Sequence, residues 1–167
     1  GRADLTVPEK QACAAIGQSF LMHTYEKAFE KKGLKVAQIL LSHDDLGNRK
    51  RYLNAKHTIE ALLEKGVIPI INENDSVTVE EIKIGDNDSL SATVACLVDA
   101  QLLIILSDVE GLYDRDPSLK SKTEKAQLIS HVPRVNEDIE KIAGKSNSRL
   151  TVGGMLTKVR AAKKTMS

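Results

Sequence analysis

Tryptophan is absent from this 167-residue chain, and tyrosine and phenylalanine together make up only 3% of it. Hydrophobic residues still reach 41%, so a core is expected, and it has to be built from Val, Ile, Leu and Ala. Net charge is also nearly missing: 24 basic and 23 acidic residues leave +1. A nucleic-acid binder usually carries a clear basic excess, so nucleic acid is not an expected partner, whereas small anions need only a few local charges. Cysteine is limited to Cys13 and Cys96, both inside apolar helical patterns. Such a pair is weak evidence for a disulfide, and buried free thiols are expected. No apolar run approaches the roughly 18 residues of a membrane span, and no signal peptide is legible, so no membrane partner is expected. His23, His43, His57 and His131 have no metal-ligand spacing. Each reads as a surface or packing residue, and no metal site is expected.

What is present alternates between helical and strand patterns. Val7–Lys32 reads as a helix, with Ala12, Ala15, Ile16, Phe20, Met22 and Phe29 near helical spacing and Gly33 as its stop. Leu34–Leu41 is a strand, and Asp45–Lys65 a helix stopped by Gly66. Val67–Asn72 is a second strand, and Val77–Ile84 alternates as a hairpin would. Asn87–Val98 is a helix, and Leu102–Ser107 a nearly all-apolar third strand. Val135–Ala143 and Gly154–Met166 are further helices, and the charged stretch Ser118–Lys125 is a loop. Strands without alternation are buried on both faces. Three of them separated by helices imply parallel crossovers, hence an α/β fold: a three-layer α/β/α sandwich on a mainly parallel sheet. The length fits a single domain over residues 1–167. Ligands of such sheets bind beyond the carboxyl ends of the strands, which points to Asn72–Asp75 and Ser107–Gly111.

Three constellations carry chemistry. The first joins Asn72, Glu73, Asn74 and Asp75 to Gly85, Asp86, Asn87 and Asp88. Capping explains acids and amides at a helix start and covers Asp86–Asp88, but not Asn72–Asp75, where no helix follows. A pocket this rich in acceptors suits an ammonium group or Mg²⁺, not a bare phosphate. The second is Val152, Gly153, Gly154, Met155, Leu156, Thr157 and Lys158. Two glycines before a helix allow backbone N–H groups to approach an anion, and Lys158 adds a charge. The spacing is not that of the G-x-x-x-x-G-K-[ST] phosphate loop, and an ordinary loop before a basic amphipathic helix reads equally well. The third, Ser107, Asp108, Val109, Glu110 and Gly111, is a polar turn after an apolar strand. It could cradle a nucleotide or be only a turn.

Taken together, INENDSVTVEEIKIGDNDSLSA (Ile70–Ala92), LSDVEGLYDRDP (Leu106–Pro117), VGGMLTK (Val152–Lys158) and PEKQACAAIGQS (Pro8–Ser19) resemble the amino-acid kinase family, in its glutamate-phosphorylating branch. The kinase half of bifunctional pyrroline-5-carboxylate synthases is similar too. The resemblance covers nearly the whole chain, in order. It implies ATP and Mg²⁺ as cofactors and L-glutamate as acceptor, phosphorylated on its side-chain carboxylate to glutamyl 5-phosphate, the first step of proline biosynthesis. Asp75 and Asn87 would bind the amino acid, and Asn72, Glu73 and Asn74 would shape its pocket. Lys158 would meet the nucleotide phosphates and Asp88 would organise the catalytic lysines. Ser107, Asp108 and Val152–Lys158 would contact the nucleotide. It further implies a homo-oligomer, proline as feedback inhibitor, and a cytoplasmic location (mitochondrial in a bifunctional eukaryotic synthase).

Two departures stand out. The family's opening strand with its phosphate-contacting lysine, and the Ser-Gly-Ala segment that touches glutamate, have no counterpart here, so truncation at the N-terminus is expected. The closing strands and an RNA-modification-type domain also lack counterparts, so the kinase domain is expected to be incomplete at both ends. Val152 stands where threonine is common. Sibling kinases acting on acetylglutamate, aspartate, carbamate or uridylate, and a non-catalytic amino-acid-sensing module, are the alternative readings.

Overall fold

The computed structural model of the chain describes residues 5–77, 86–115, 126–144 and 154–166. The expected hairpin beyond Val77, the loop Ser118–Lys125, and Gly85, Val152 and Gly153 lie outside the described residues. The chain divides into two compact units, Gly1–Ile84 and Gly85–Ser167.

The first unit runs α1 (Val7–Glu30), β1 (Lys35–Leu41), α2 (His43–Gly47), α3 (Arg49–Glu64) and β2 (Val67–Glu73). Thr6 opens α1 with a capping box: its N–H donates to Glu9 Oε2 at 2.7 Å, and Pro8 stands where no amide is needed. Gly33 and Gly66 end the two long helices at φ of 69° and 67°. Only glycine takes that left-handed turn without strain, and each glycine releases the chain into a strand. The strands pair in parallel with Lys35 opposite Val67 and Leu41 opposite Glu73. A helical crossover between parallel strands is the α/β arrangement that the alternating pattern implied.

The second unit carries α4 (Asn87–Leu97), α5 (Glu137–Gly144) and α6 (Met155–Thr165), with one isolated antiparallel bridge between Tyr113 and Leu128. In both units the core is aliphatic, as the missing aromatics required. Met22, Leu41 and Ile59 are buried in the first, and Leu90, Ala92, Leu97, Ala143, Val159 and Ala161 in the second. Among the described residues, Ile59 and Leu97 are the largest fully buried side chains, each worth roughly 1.5–3 kcal/mol of burial.

Four expectations are corrected. The helix expected over Asp45–Lys65 is two helices. Asn48 between them is extended, and its side-chain oxygen accepts from Lys50 and Arg51 N–H. A short amide that offers the backbone its own acceptor starts a new helix instead of continuing the old one. Leu102–Ser107 is not a strand buried on both faces: Leu102, Ile104 and Leu106 are 73%, 71% and 90% exposed, and among the described residues no ladder partner pairs with it. An apolar run supplies strand propensity, but a strand also needs a neighbour. On α1, the stripe turned inward is Gln11, Ala14, Gln18, Met22 and Phe29, so Ile16 and Phe20 are exposed instead of forming the core face. Cys13 lies off that stripe and is exposed, as is Cys96; neither is a buried thiol.

Candidate functional site

In the second unit, capping accounts for one acid of Asp-Asn-Asp. Asp86 is the N-cap of α4, and its carboxylate accepts from Ser89 N–H at 2.7 Å and Ser89 Oγ at 3.2 Å. Asn87, the first helical residue, is exposed. Asp88 is turned elsewhere, and its side chain is only 13% exposed. Lys158 Nζ donates to it at 3.0 Å from Oδ2 and 3.3 Å from Oδ1, across 70 residues of sequence. Thr157 Oγ1 lies 2.6 Å from Asp88 Oδ2 and 2.7 Å from the Gly154 carbonyl. Both neighbours are acceptors, so the single hydroxyl proton is shared between them.

Gly154 is the N-cap of α6. The first N–H groups of a helix have no intrahelical acceptor and favour an anion. Lys158 sits one turn further on as a fixed cation. The helix is tied down beyond that turn. Glu140 of α5 accepts from Lys163 Nζ at 2.5 Å, with Arg160 Nε 3.9 Å away. The Lys163 hydrogen bond holds the Glu140 carboxyl below the ordinary carboxylate range. Lys164 Nζ donates to Thr93 Oγ1 on α4 at 2.7 Å.

Ser107 and Asp108 form an exposed turn in which Val109 N–H points at Ser107 Oγ, 3.4 Å away. Among the described residues, no hydrogen bond joins them to the Asp88–Lys158 cluster. A cavity of about 530 Å³ in this unit is lined by Cys96, Asp99, Leu103, Ile105 and Thr165, among others, and by none of the sequence-predicted site residues.

In the first unit, β2 delivers the acid–amide segment. Asn74 N–H donates to the Leu41 carbonyl at 2.8 Å, which extends the ladder one step past the strand. Asn74 Oδ1 accepts from Ser76 Oγ at 2.6 Å, and its carbonyl from Val77 N–H at 3.2 Å, so the chain turns tightly there. Glu73, Asn74 and Asp75 share a cavity of about 220 Å³ with Ala15, Gln18 and Ser19 of α1. Pockets for drug-sized ligands run to about 300–1,000 Å³, so this one is scaled to a small metabolite. Asp75 carries no hydrogen bond or ion pair among the described residues.

Asn72, expected to shape the pocket, is not among the residues that line this cavity; its Nδ2 donates at 3.2 Å to Oε1 of Gln18, which does line it. Gln18 was missed, although the spacing of Gln11, Ala14, Gln18 and Met22 marks the inward stripe. The role of Thr157 as a prop for Asp88 was missed too, because a hydroxyl bond across 69 residues leaves no local pattern. No three His, Cys, Asp or Glu side chains among the described residues stand together as a metal site, and no described helix is long and apolar enough to cross a membrane.

A parallel strand pair joined by helices, with a lysine–aspartate pair at a glycine-led helix start, agrees with the comparison to known families. The amino acid kinase family model matches residues 2–167, and the chain belongs to that family. Within it the chain is 55% identical over 157 residues to the glutamate 5-kinase of Carboxydothermus hydrogenoformans, which covers 94% of the chain and 41% of that protein. It is equally similar to the glutamate 5-kinase of Clostridium acetobutylicum (94% and 58%) and to that of Geobacter metallireducens (95% and 42%). The chain thus spans about four- to six-tenths of the length of these curated relatives.

Proposed function

We propose that this chain is part of an enzyme that transfers the γ-phosphoryl group of ATP to the side-chain carboxylate of L-glutamate, giving glutamyl 5-phosphate for proline biosynthesis. The observation that carries the reading is the Lys158–Asp88 pair at the start of α6. A carboxylate is already a nucleophile, so the reaction needs no strong base. A carboxylate oxygen bonds to the γ-phosphorus, the bond to the bridging oxygen breaks, and ADP leaves with the electron pair. The obstacle is bringing one anion up to another, and catalysis is mostly positioning and neutralisation of charge.

Lys158 supplies a positive charge for the phosphates, and Asp88, itself propped by Thr157, holds the ammonium without accepting a proton. Met155 and Leu156 add backbone N–H groups, with Val152, Gly153 and Gly154 completing that nucleotide stretch. Ser107 and Asp108 contact the nucleotide in this reading. Asp75, with Glu73 and Asn74, takes the substrate ammonium, and Asn87 also contacts the amino acid. Mg²⁺ is compact and strongly hydrated, and it would arrive on the ATP phosphates instead of in a cage of protein ligands. Proline as inhibitor, self-association and a cytoplasmic location belong to the same proposal and rest on the family resemblance.

The test is a panel of acceptors offered with Mg·ATP to the full-length protein: glutamate, acetylglutamate, aspartate, carbamate and uridylate. Trapping of the acyl phosphate with hydroxylamine should occur with free glutamate. Preference for any other acceptor assigns a sibling activity, and ATP-independent amino-acid binding with no turnover assigns a sensor.

A further inference from the structure

The amide pair Gln18–Asn72 has no part in the chemistry above, yet it is costly. Gln18 lies on the inward stripe of α1, between Ala14 and Met22. Its Oε1 is occupied by Asn72, while its Nε2 is sealed from solvent with no partner among the described residues. A buried donor without an acceptor destabilises a fold, and a methionine of similar length would avoid that cost. The apolar neighbours on the stripe show that such a residue fits its pattern. Gln18 also lines the cavity whose other wall is Glu73, Asn74 and Asp75, the residues that follow Asn72 in the chain. Asn72 and Asn74 alternate with Glu73 and so share one strand face. A polar group that weakens the fold is expected where it serves a site, and this one borders a cavity.

We propose that Gln18 is a positioning residue for the amino-acid pocket: by holding the Asn72 side chain it fixes the exit of β2, and with it the acceptor wall that takes the substrate ammonium. The inference rests on the functional reading above and adds to it a residue that never touches the reacting atoms.

Steady-state kinetics and thermal melting of the full-length protein test it, with Gln18→Met, Asn72→Ala and the double variant. Loss of one positioning hydrogen bond should raise the KM for glutamate about tenfold in Gln18→Met, with kcat and the KM for ATP within about twofold. Tm should stay near the wild-type value, because the orphaned Gln18 donor is gone while Asn72 Nδ2, half-buried, loses its acceptor. In the Asn72→Ala background, Gln18→Met should change nothing further, since both act through one bond. Gln18→Asn, one methylene too short to reach, should reproduce the KM rise, and it replaces Gln18→Met if that variant does not fold. A wild-type KM in the Gln18 variants overturns the proposal while leaving glutamate phosphorylation standing. So do a KM rise accompanied by a steep fall in Tm, which marks plain packing, and independent effects in the double variant. A wild-type protein that does not phosphorylate glutamate removes the functional reading and this proposal with it.

Discussion

The two units hold their polar residues in opposite ways. In the first, the acid–amide segment hangs from a backbone ladder: Asn72 is opposite Leu40, Glu73 opposite Leu41, and Asn74 N–H bonds to the Leu41 carbonyl. In the second, Asp88, Thr157 and Lys158 come from helices about 70 residues apart and are held by one another's side chains. A ladder keeps its backbone path when one side chain is lost, and a side chain such as Gln18 then adjusts only the placement of its exit. A side-chain cluster does not, because each member is another's partner.

The largest expected effect comes from testing that difference directly. Lys158→Ala removes the cation aimed at the transferring group and leaves the Asp88 carboxylate, 13% exposed, with a hydroxyl as its only side-chain partner among the described residues. Loss of an oriented charge of this kind should lower kcat by about 10²–10³, or about 3–4 kcal/mol. Asp75→Ala removes a carboxylate from a wall the backbone still holds. It should raise the KM for glutamate about tenfold while kcat and Tm stay near wild type, since only the partner of the substrate ammonium is gone. Unchanged turnover in Lys158→Ala would sink its assignment. Equal losses of kcat in both variants would break the comparison itself.

How much was legible in the sequence follows the same division. The elements of the first unit are set by local signals, Gly33 and Gly66 as stops and apolar runs before Asn72, and the strands and α1 lie within a residue or two of where the pattern puts them. The spacing of Ile16 and Phe20 misled, because a helix with two apolar sides does not say which one is covered. In the second unit the pairing of Asp88 with Lys158 is a tertiary fact that no spacing encodes, and only the family resemblance pointed to it. Leu102–Ser107 shows the converse: a strand-like pattern in a segment that has no ladder among the described residues.

A smaller effect asks whether the units are also separate in stability. Ile59 is 1% exposed and Leu97 is 0% exposed, so truncation of either to alanine should cost about 3 kcal/mol through lost transfer energy and the cavity left behind. Native-state hydrogen exchange should show lost protection confined to the unit that carries the change. Protection lost throughout the chain would mean that the two unfold as one, and the contrast would then hold for their sites alone.

The smallest effect concerns how each unit fixes an acid. Ser42 caps α2, its N–H and hydroxyl donating to Asp45 Oδ2 at 2.8 and 2.6 Å, and these bonds, the hydroxyl's foremost, hold the Asp45 carboxyl below its ordinary value. A folded pKa below the unfolded one adds stability that is present above the unfolded value of 3.8 and is lost as pH falls through the lower folded value. Ser42→Ala should therefore cost about 1 kcal/mol at neutral pH. Its stability curve should draw nearer to that of the wild type once Asp45 is protonated in both, leaving the part of the gap that comes from the Asp45 N–H bond to the serine hydroxyl. Denaturant melts across that range check this, and a constant gap down to the lowest pH would assign the loss to the serine hydroxyl's bond to the Asp45 amide alone. Glu140 in the second unit is also held low, but by the ammonium of Lys163 on another helix. Such an exposed ion pair is screened by salt, so the effect of Glu140→Gln should fade as salt is added. That of Ser42→Ala, a local hydrogen bond, should not.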